Sequence, residues 1–443
     1  MTNIFNNYKK LLAEFVSFKS VSTDPKYLDE IEKTVLWLKN LLSENKFEVK
    51  IIKGKNSNPL VFGSFNVSKK LKTVLIYGHY DVQPANKEDG WKSDPFTVYE
   101  KGRKLIARGI IDNKGQILAH IVTVVQLIKE GKLAYNVKFL IEGNEETGND
   151  GMATLMLKNR NLLKCDVVLV SDGELTNNKP TIEVSLRGGF NCTLTYKTGK
   201  SNLHSGIWGG VVPNAATELS KFLSKLTNAD NSIAFKEFYR GMDKVTKKQI
   251  ENNVNLVKEG GDIKKLAGVN KLIFPKNVDF YSQTGLYPTL QVTGINAGYT
   301  EIGYANIVPF KAEAKINVRL VASQRPEVIA KALAKFIKAN TPKHVDYSLS
   351  FNGMHRPVKV NSKNEFMETA IKTLNNVYKT KVNYKNVGGA IPFVGDVKKI
   401  LGVDTLLIPL VNEDCNMHGT DENFDIDLAQ KALEFSQAFL SKN

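Results

Sequence analysis

Two histidines and a set of carboxylates in this chain fall where divalent-metal chemistry would need them. His79 and Asp81 stand in Tyr77-Gly-His-Tyr-Asp, and Asp112 in Ala-Arg-Gly-Ile-Ile-Asp-Asn-Lys-Gly. Glu145 and Glu146 are adjacent, Asp172 lies in Ser-Asp-Gly, and His418 lies in Asn-Met-His-Gly-Thr-Asp-Glu. Imidazole nitrogen mixed with carboxylate oxygen suits zinc, manganese or cobalt and is too nitrogen-rich for calcium. A carboxylate between two ions can bridge them at roughly 3.5–4 Å separation. Adjacent glutamates repel, and burying both is costly unless cations neutralise them. One could then ligate metal while its neighbour holds a proton from activated water. Each residue also has an ordinary reading: His-x-Asp as a surface accident, Glu-Glu as a solvated loop, Asp after a strand as a helix cap. Spacing alone leaves these readings and a metal site equally open. His120 falls on the apolar side of a helical pattern and reads as structural, and His344 lies in a polar turn.

The elements that must position these residues alternate along the chain. Residues 8–18 and 31–42 repeat apolar positions at helical spacing. Residues 47–52 and 61–66 read as strands. Short apolar runs at 73–78, 137–142 and 166–171 are of the kind a parallel sheet buries on both faces, with helices predicted between them at 114–130 and 152–158. This order predicts a mostly parallel α/β sheet. His79, Glu145, Glu146, Asp172 and His418 each follow a predicted strand, and Asp112 precedes a helix. Open α/β sheets form sites beyond the carboxyl ends of their strands, so one sheet edge is expected to gather them. After Ile182 the pattern becomes antiparallel, with strands at 181–186, 190–197, 290–293, 312–320 and 345–351, helices at 214–226 and 326–339, and a polar stretch to about Gly268. The α/β texture returns in a helix at 365–378, a strand at 405–409 and a helix at 428–440. The expected organisation is a mostly parallel-sheet catalytic domain in two parts, 1–185 and 354–443, with an α+β domain inserted at 186–353.

The formal net charge of +16 raises nucleic acid as a partner. Lysine greatly outnumbers arginine, however, and is spread along the chain rather than clustered with aromatics. A lysine-rich solvated surface and no nucleic-acid partner are expected. Cys165, Cys192 and Cys415 offer no disulfide framework and fit a reducing compartment. The first residues lack the pattern of a secretory signal, and the longest apolar runs fall far short of the ~18 residues a membrane span needs. A cytoplasmic protein without a membrane partner is expected.

A family resemblance is carried by Tyr77-Gly-His-Tyr-Asp-Val-Gln-Pro, Gly90-Trp with Asp94-Pro-Phe, Gly109-Ile-Ile-Asp-Asn-Lys-Gly, Glu142-Gly-Asn-Glu-Glu-Thr-Gly, Ser171-Asp-Gly, Leu203-His-Ser-Gly-Ile-Trp-Gly-Gly and Gly388-Gly-Ala-Ile-Pro. In this order they resemble the di-zinc metallopeptidases that include carnosinases, aminoacylases and succinyl-diaminopimelate desuccinylase, and they come closest to the carnosinase-like dipeptidase branch. The resemblance implies two divalent metal ions, zinc foremost with manganese or cobalt as alternatives. His79 and Asp172 would hold one ion, Glu146 and His418 the other, and Asp112 would bridge them across a cis Asp112–Asn113 peptide. Asp81 would fix the tautomer of His79. Glu145 would be general base and then acid toward a hydroxide shared by the metals, and His204 the oxyanion donor.

The resemblance further implies that the inserted domain is a lid and dimerisation domain, so that a homodimer partner supplies His204. Arg319 would clamp the carboxylate of a small peptide substrate, a role suited to its bidentate fork, with Asn306, His355 and Gly389 as further substrate contacts. Asp172, rather than Glu, goes with substrates that have a free amino terminus. One departure is Ala390, where the family often has a serine whose hydroxyl reaches the substrate carboxylate; its loss removes on the order of 1 kcal/mol of binding. The alternatives are an N-acyl-amino-acid amidohydrolase on the same scaffold and a non-catalytic binding protein.

Overall fold

The computed structural model describes residues 2–442 except 56, 149, 150 and 362, with the backbone alone described at residue 2. The chain divides into two compact units. The first is Met1–Val184, Val360–Lys385 and Ile391–Asn443, and the second is Ser185–Lys359 and Asn386–Ala390. The strands of the two largest sheets are, in chain order, β1 (Glu48–Ile52), β2 (Leu60–Phe65), β3 (Thr73–His79), β4 (Asn136–Glu142), β5 (Val167–Val170), β6 (Gly188–Lys197), β7 (Thr289–Ala297), β8 (Lys311–Leu320), β9 (Asp346–His355) and β10 (Asp404–Leu407).

The first unit is built on a six-stranded sheet of order β1-β2-β4-β3-β5-β10. The four strands from β4 to β10 run parallel, and β1 and β2 close the other edge antiparallel. The apolar side chains of β3 and β5 are buried, as a parallel sheet covered on both faces requires. The helix Lys114–Glu130 stops at Gly131, which takes the left-handed conformation that a side chain resists. It packs against the helices Thr2–Ser17 and Ile426–Leu440. Gly115 is held to glycine by space, since a Cβ there would lie 2.0 Å from the Ile110 carbonyl oxygen. Tyr8 donates to the Gly115 carbonyl at 3.0 Å, and the buried Lys114 amine donates to the carbonyls of Phe15 and Phe18 at 3.0 and 2.7 Å. These bonds fix the turn that carries Asp112.

The second unit is built on an antiparallel sheet of order β7-β8-β6-β9. Phe190, Cys192, Leu194 and Tyr196 of β6 and Ala312, Ala314, Ile316, Val318 and Leu320 of β8 join one core with residues of the helices Ala215–Leu223 and Pro326–Asn340. The alternate positions form a polar face, where the Asn317 amide donates to Asn191 at 2.8 Å. The polar stretch between β6 and β7 also holds helices at Lys247–Glu259, Ile263–Ala267 and Phe280–Leu286, which periodicity did not reveal. The longest of them buries only Asn253 and Leu256, too thin a stripe for a hydrophobic pattern to register. Its start is marked instead by a capping box from Thr246 to Gln249.

Candidate metal centre

The carboxyl ends of the parallel strands gather the proposed ligands. His79 ends β3, Glu145 and Glu146 form a short turn after β4, Asp172 follows β5, and His418 lies in the loop after β10. Two groups of donors form there: His79, Asp112 and Asp172, and Asp112, Glu146 and His418, with the donor atoms of each group within 4.8 Å of one another. Asp112 belongs to both and turns one oxygen to each histidine. Its Oδ1 lies 3.0 Å from His79 Nε2 and its Oδ2 2.9 Å from His418 Nε2. Asp172 Oδ1 is 3.7 Å from His79 Nε2, and Glu146 Oε2 is 3.3 Å from His418 Nε2. The Asp112–Asn113 peptide is cis.

The surroundings orient the donors. His79 Nδ1 lies 2.9 Å from the backbone carbonyl of Asp81 and 3.4 Å from its carboxylate, so the carbonyl makes the closer contact. The Asp81 carboxylate, fully buried, accepts instead from the backbone N–H groups of Glu145 and Glu146 at 3.2 and 3.1 Å and from the Ser22 hydroxyl at 2.7 Å. One residue thereby sets the tautomer of His79 and holds the turn that carries the glutamate pair. His120, as its apolar position implied, is structural; its ring nitrogens meet the hydroxyls of Ser436 and Ser171 at 3.0 and 2.9 Å.

Negative charge dominates the cluster. Burial alone would depress the His79 imidazole, but the carboxylates of Asp112, Asp172 and Asp81 hold it well above its usual range. Asp112 and Glu146 push His418 up to about 10. Burial would raise Asp112, yet the bonds from His418 and His79 keep it below the usual carboxylate range. Glu145 is held well above its usual value by burial, with the Asp172, Glu146 and Asp112 charges adding to the rise and His79 opposing it. Divalent cations would satisfy this same set of donors. Glu146 Oε1 is buried without a hydrogen-bond partner among the described residues, leaving a lone pair for such a cation. The residues fit two ions that share Asp112.

The second unit carries the other candidates. Thr289, Arg319, Gly189 and His355 pair in one row across β7, β8, β6 and β9. Arg319 and His355 flank a glycine whose Cβ would strike the Val318 carbonyl oxygen at 2.1 Å, so the row keeps a gap between two nitrogen-rich side chains. His355 Nδ1 meets the Gly353 carbonyl at 2.9 Å, while Nε2 is buried without a partner among the described residues. Burial lowers the His355 pKa, and the Arg319 charge adds to the effect. Gly389, which the sequence reading grouped with the catalytic domain, belongs to this unit; its carbonyl accepts from the Arg187 backbone N–H at 2.9 Å. His204 is exposed and pairs with Ile307, and the next residue, Ser205, donates its N–H to the Asn306 carbonyl at 2.9 Å. His204 and Asn306 thus share one corner of the unit.

The sequence matches peptidase family M20/M25/M40 over residues 75–442. The chain belongs to this family. It is 30% identical to the Cys-Gly metallodipeptidase DUG1 of Candida albicans, a match covering 83% of this chain and 78% of that protein. It is 27% identical to the Beta-Ala-His dipeptidase of Mus musculus, covering 83% and 76%. The crystal structure of the M20 family metallo-carboxypeptidase Sso-CP2 from Sulfolobus solfataricus superposes with a TM-score of 0.87 at 29% identity, covering 98% of each chain.

Sequence reading passed over several residues of this M20 peptidase. Gln83 donates to Glu146 Oε2 at 2.7 Å, and Asn113 donates to Asp172 Oδ1 at 3.2 Å and to the Ser171 carbonyl at 2.7 Å. Both stand inside the motifs already quoted, so proximity to a ligand was the available signal. Arg187 lies just outside them. Its guanidinium is buried, donates to the carbonyls of Gln283 and Tyr287, and makes no ion pair with a carboxylate among the described residues.

Proposed function

We propose that the protein is a dinuclear metallopeptidase that cleaves dipeptides or similarly small peptides with a free amino terminus. The observation that carries this reading is the pair of donor groups sharing Asp112, with Glu145 beside them, in an M20 chain. His79 and Asp172 would hold one divalent ion and Glu146 and His418 the other, with Asp112 shared, and zinc matches the mixed nitrogen and oxygen donors best. Bound there, such ions supply the Lewis acidity that activates water at neutral pH and polarises a carbonyl oxygen.

The remaining steps belong to the chain. Glu145, raised by burial and by its acidic neighbours, accepts the proton of the attacking water and returns it to the leaving amine nitrogen. Asp81 holds the Glu145–Glu146 turn and the His79 ring in register for that transfer. His204 donates to the oxyanion. Arg319 and His355 receive the substrate carboxylate, Gly389 lines the same subsite, Ala390 leaves the carboxylate one hydroxyl short, and Asn306 contacts the substrate from the corner it shares with His204. Asp172 takes the substrate ammonium group as well as metal.

The second unit acts as lid and dimerisation domain of a homodimer whose partner supplies His204. β7 and β9 are edge strands of its sheet, and β7 exposes Val292 and Ile295, which favours pairing with another copy. The three cysteines are unpaired, and no helix among the described residues is long and apolar enough to cross a membrane; these features are compatible with a cytoplasmic location.

The test is a panel of dipeptides and N-acyl amino acids assayed on metal-loaded protein, before and after exhaustive chelation. Dipeptide hydrolysis that chelation removes and added zinc, manganese or cobalt restores is the expected result. Hydrolysis confined to N-acyl amino acids would replace the dipeptidase reading with the amidohydrolase one. Full turnover in protein shown by elemental analysis to hold no metal would overturn both.

A further inference from the structure

A buried ion pair joins the loops that carry Asp112 and His418. Arg108 Nη1 donates to Glu422 Oε2 at 2.7 Å, and both side chains are almost wholly excluded from solvent. Each partner reaches one ligand loop. Glu422 Oε2 accepts from the Gly109 N–H at 3.0 Å, and its Oε1 accepts from Ile111 and Asp112 at 3.0 and 3.3 Å. Arg108 Nη2 donates to the carbonyls of His418 and Gly419 at 3.0 and 3.2 Å. The guanidinium also lies over the Trp91 ring, 5.2 Å from its centroid.

His418 needs such a hold. Its backbone sits at φ 60°, in the left-handed region that non-glycine residues seldom occupy, and it is an exposed loop residue with little packing of its own. A residue kept there persists only when its surroundings impose the conformation. The bonds from Arg108 to the two successive carbonyls supply that constraint. The N–H groups of the Asp112 turn, which would otherwise be buried without acceptors, are satisfied by the other half of the same pair.

We propose that Arg108 and Glu422 are positioning residues that set the spacing between Asp112 and His418, and so determine how tightly the Asp112, Glu146 and His418 donors hold a cation. This rests on the dinuclear reading above. His418 serves one ion only, whereas Asp112 serves both, so losing the Arg108 bonds falls mainly on one ion, and losing the Glu422 bonds loosens both, most of all the one that also depends on His418. An ion pair that only staples the fold would weaken both sites alike or neither.

The experiment dialyses metal-loaded protein against a series of zinc buffers and counts ions retained per chain, with melting temperature recorded on the same samples. Wild type defines two binding steps; its failure to bind two ions would refute the dinuclear reading itself. Glu422→Gln keeps the side-chain shape but loses the charge and turns an N–H₂ toward existing donors. It is expected to weaken the step that depends on both Asp112 and His418 by about 10–100-fold, the usual effect of losing a group that orients a ligand, and to weaken the other step, which shares Asp112, to a smaller extent. Arg108→Lys keeps the ion pair and the Asp112 turn but cannot span both loop carbonyls, so the same step weakens several-fold with a smaller loss of stability. Should Glu422→Gln fail to fold, Arg108→Lys alone decides. A melting temperature lowered equally at every zinc level, with both binding steps unchanged or weakened alike, would overturn the proposal.

Discussion

The two units concentrate opposite charge at their candidate sites. In the first, Asp112, Glu145, Glu146 and Asp172 crowd around two histidines, and the imidazoles respond by holding their protons more tightly. In the second, Arg187, Arg319 and His355 cluster without a carboxylate partner among the described residues, and burial together with mutual repulsion lowers Arg187 to about 10. Like charges gathered in a low-dielectric setting are costly unless a counter-charge arrives. The first cluster is therefore built for cations and the second for an anion.

The strongest way to break this contrast is at Glu145. Glu145→Gln removes the proton acceptor and leaves both donor groups intact, so kcat is expected to fall by about 10²–10⁴-fold while metal content by elemental analysis stays near two ions per chain. Near-normal turnover would move the base elsewhere.

Arg319 tests the other side. Arg319→Ala is expected to raise KM for dipeptides by about 10–100-fold, in line with roughly 1.5–3 kcal/mol for a hydrogen bond to a charged group, and to change little for the corresponding dipeptide amides. An equal loss on acids and amides would mean that the second cluster does not read the carboxylate.

The smallest expected signal asks whether the units of two copies cooperate. Glu145→Gln and His204→Ala, each inactive alone, are mixed under conditions that exchange subunits. One site of each mixed dimer then has Glu145 and His204 together, and about a quarter of wild-type activity returns if exchange is random. No recovery despite demonstrated exchange would place His204 in service of its own chain or of none.

Local chemistry made much of this legible without a structure. Short apolar runs marked β3, β4 and β5, helical spacing marked Lys114–Glu130 and Glu365–Tyr378 to the residue, and the placement of His79, Asp112, Glu145, Glu146, Asp172 and His418 beside element ends pointed to one sheet edge. Such signals are short-range, and one sequence suffices to read them. Three features needed the tertiary structure. Asp112 offers a separate oxygen to each histidine, Asp81 orients His79 chiefly through its backbone carbonyl, and Arg319 and His355 stand on either side of the strand that carries Gly189. The pairing of Arg108 with Glu422, 314 positions apart, belongs with them. Each depends on strand order, register or the meeting of distant loops. These are set by how whole elements pack, and no spacing along the chain encodes them locally.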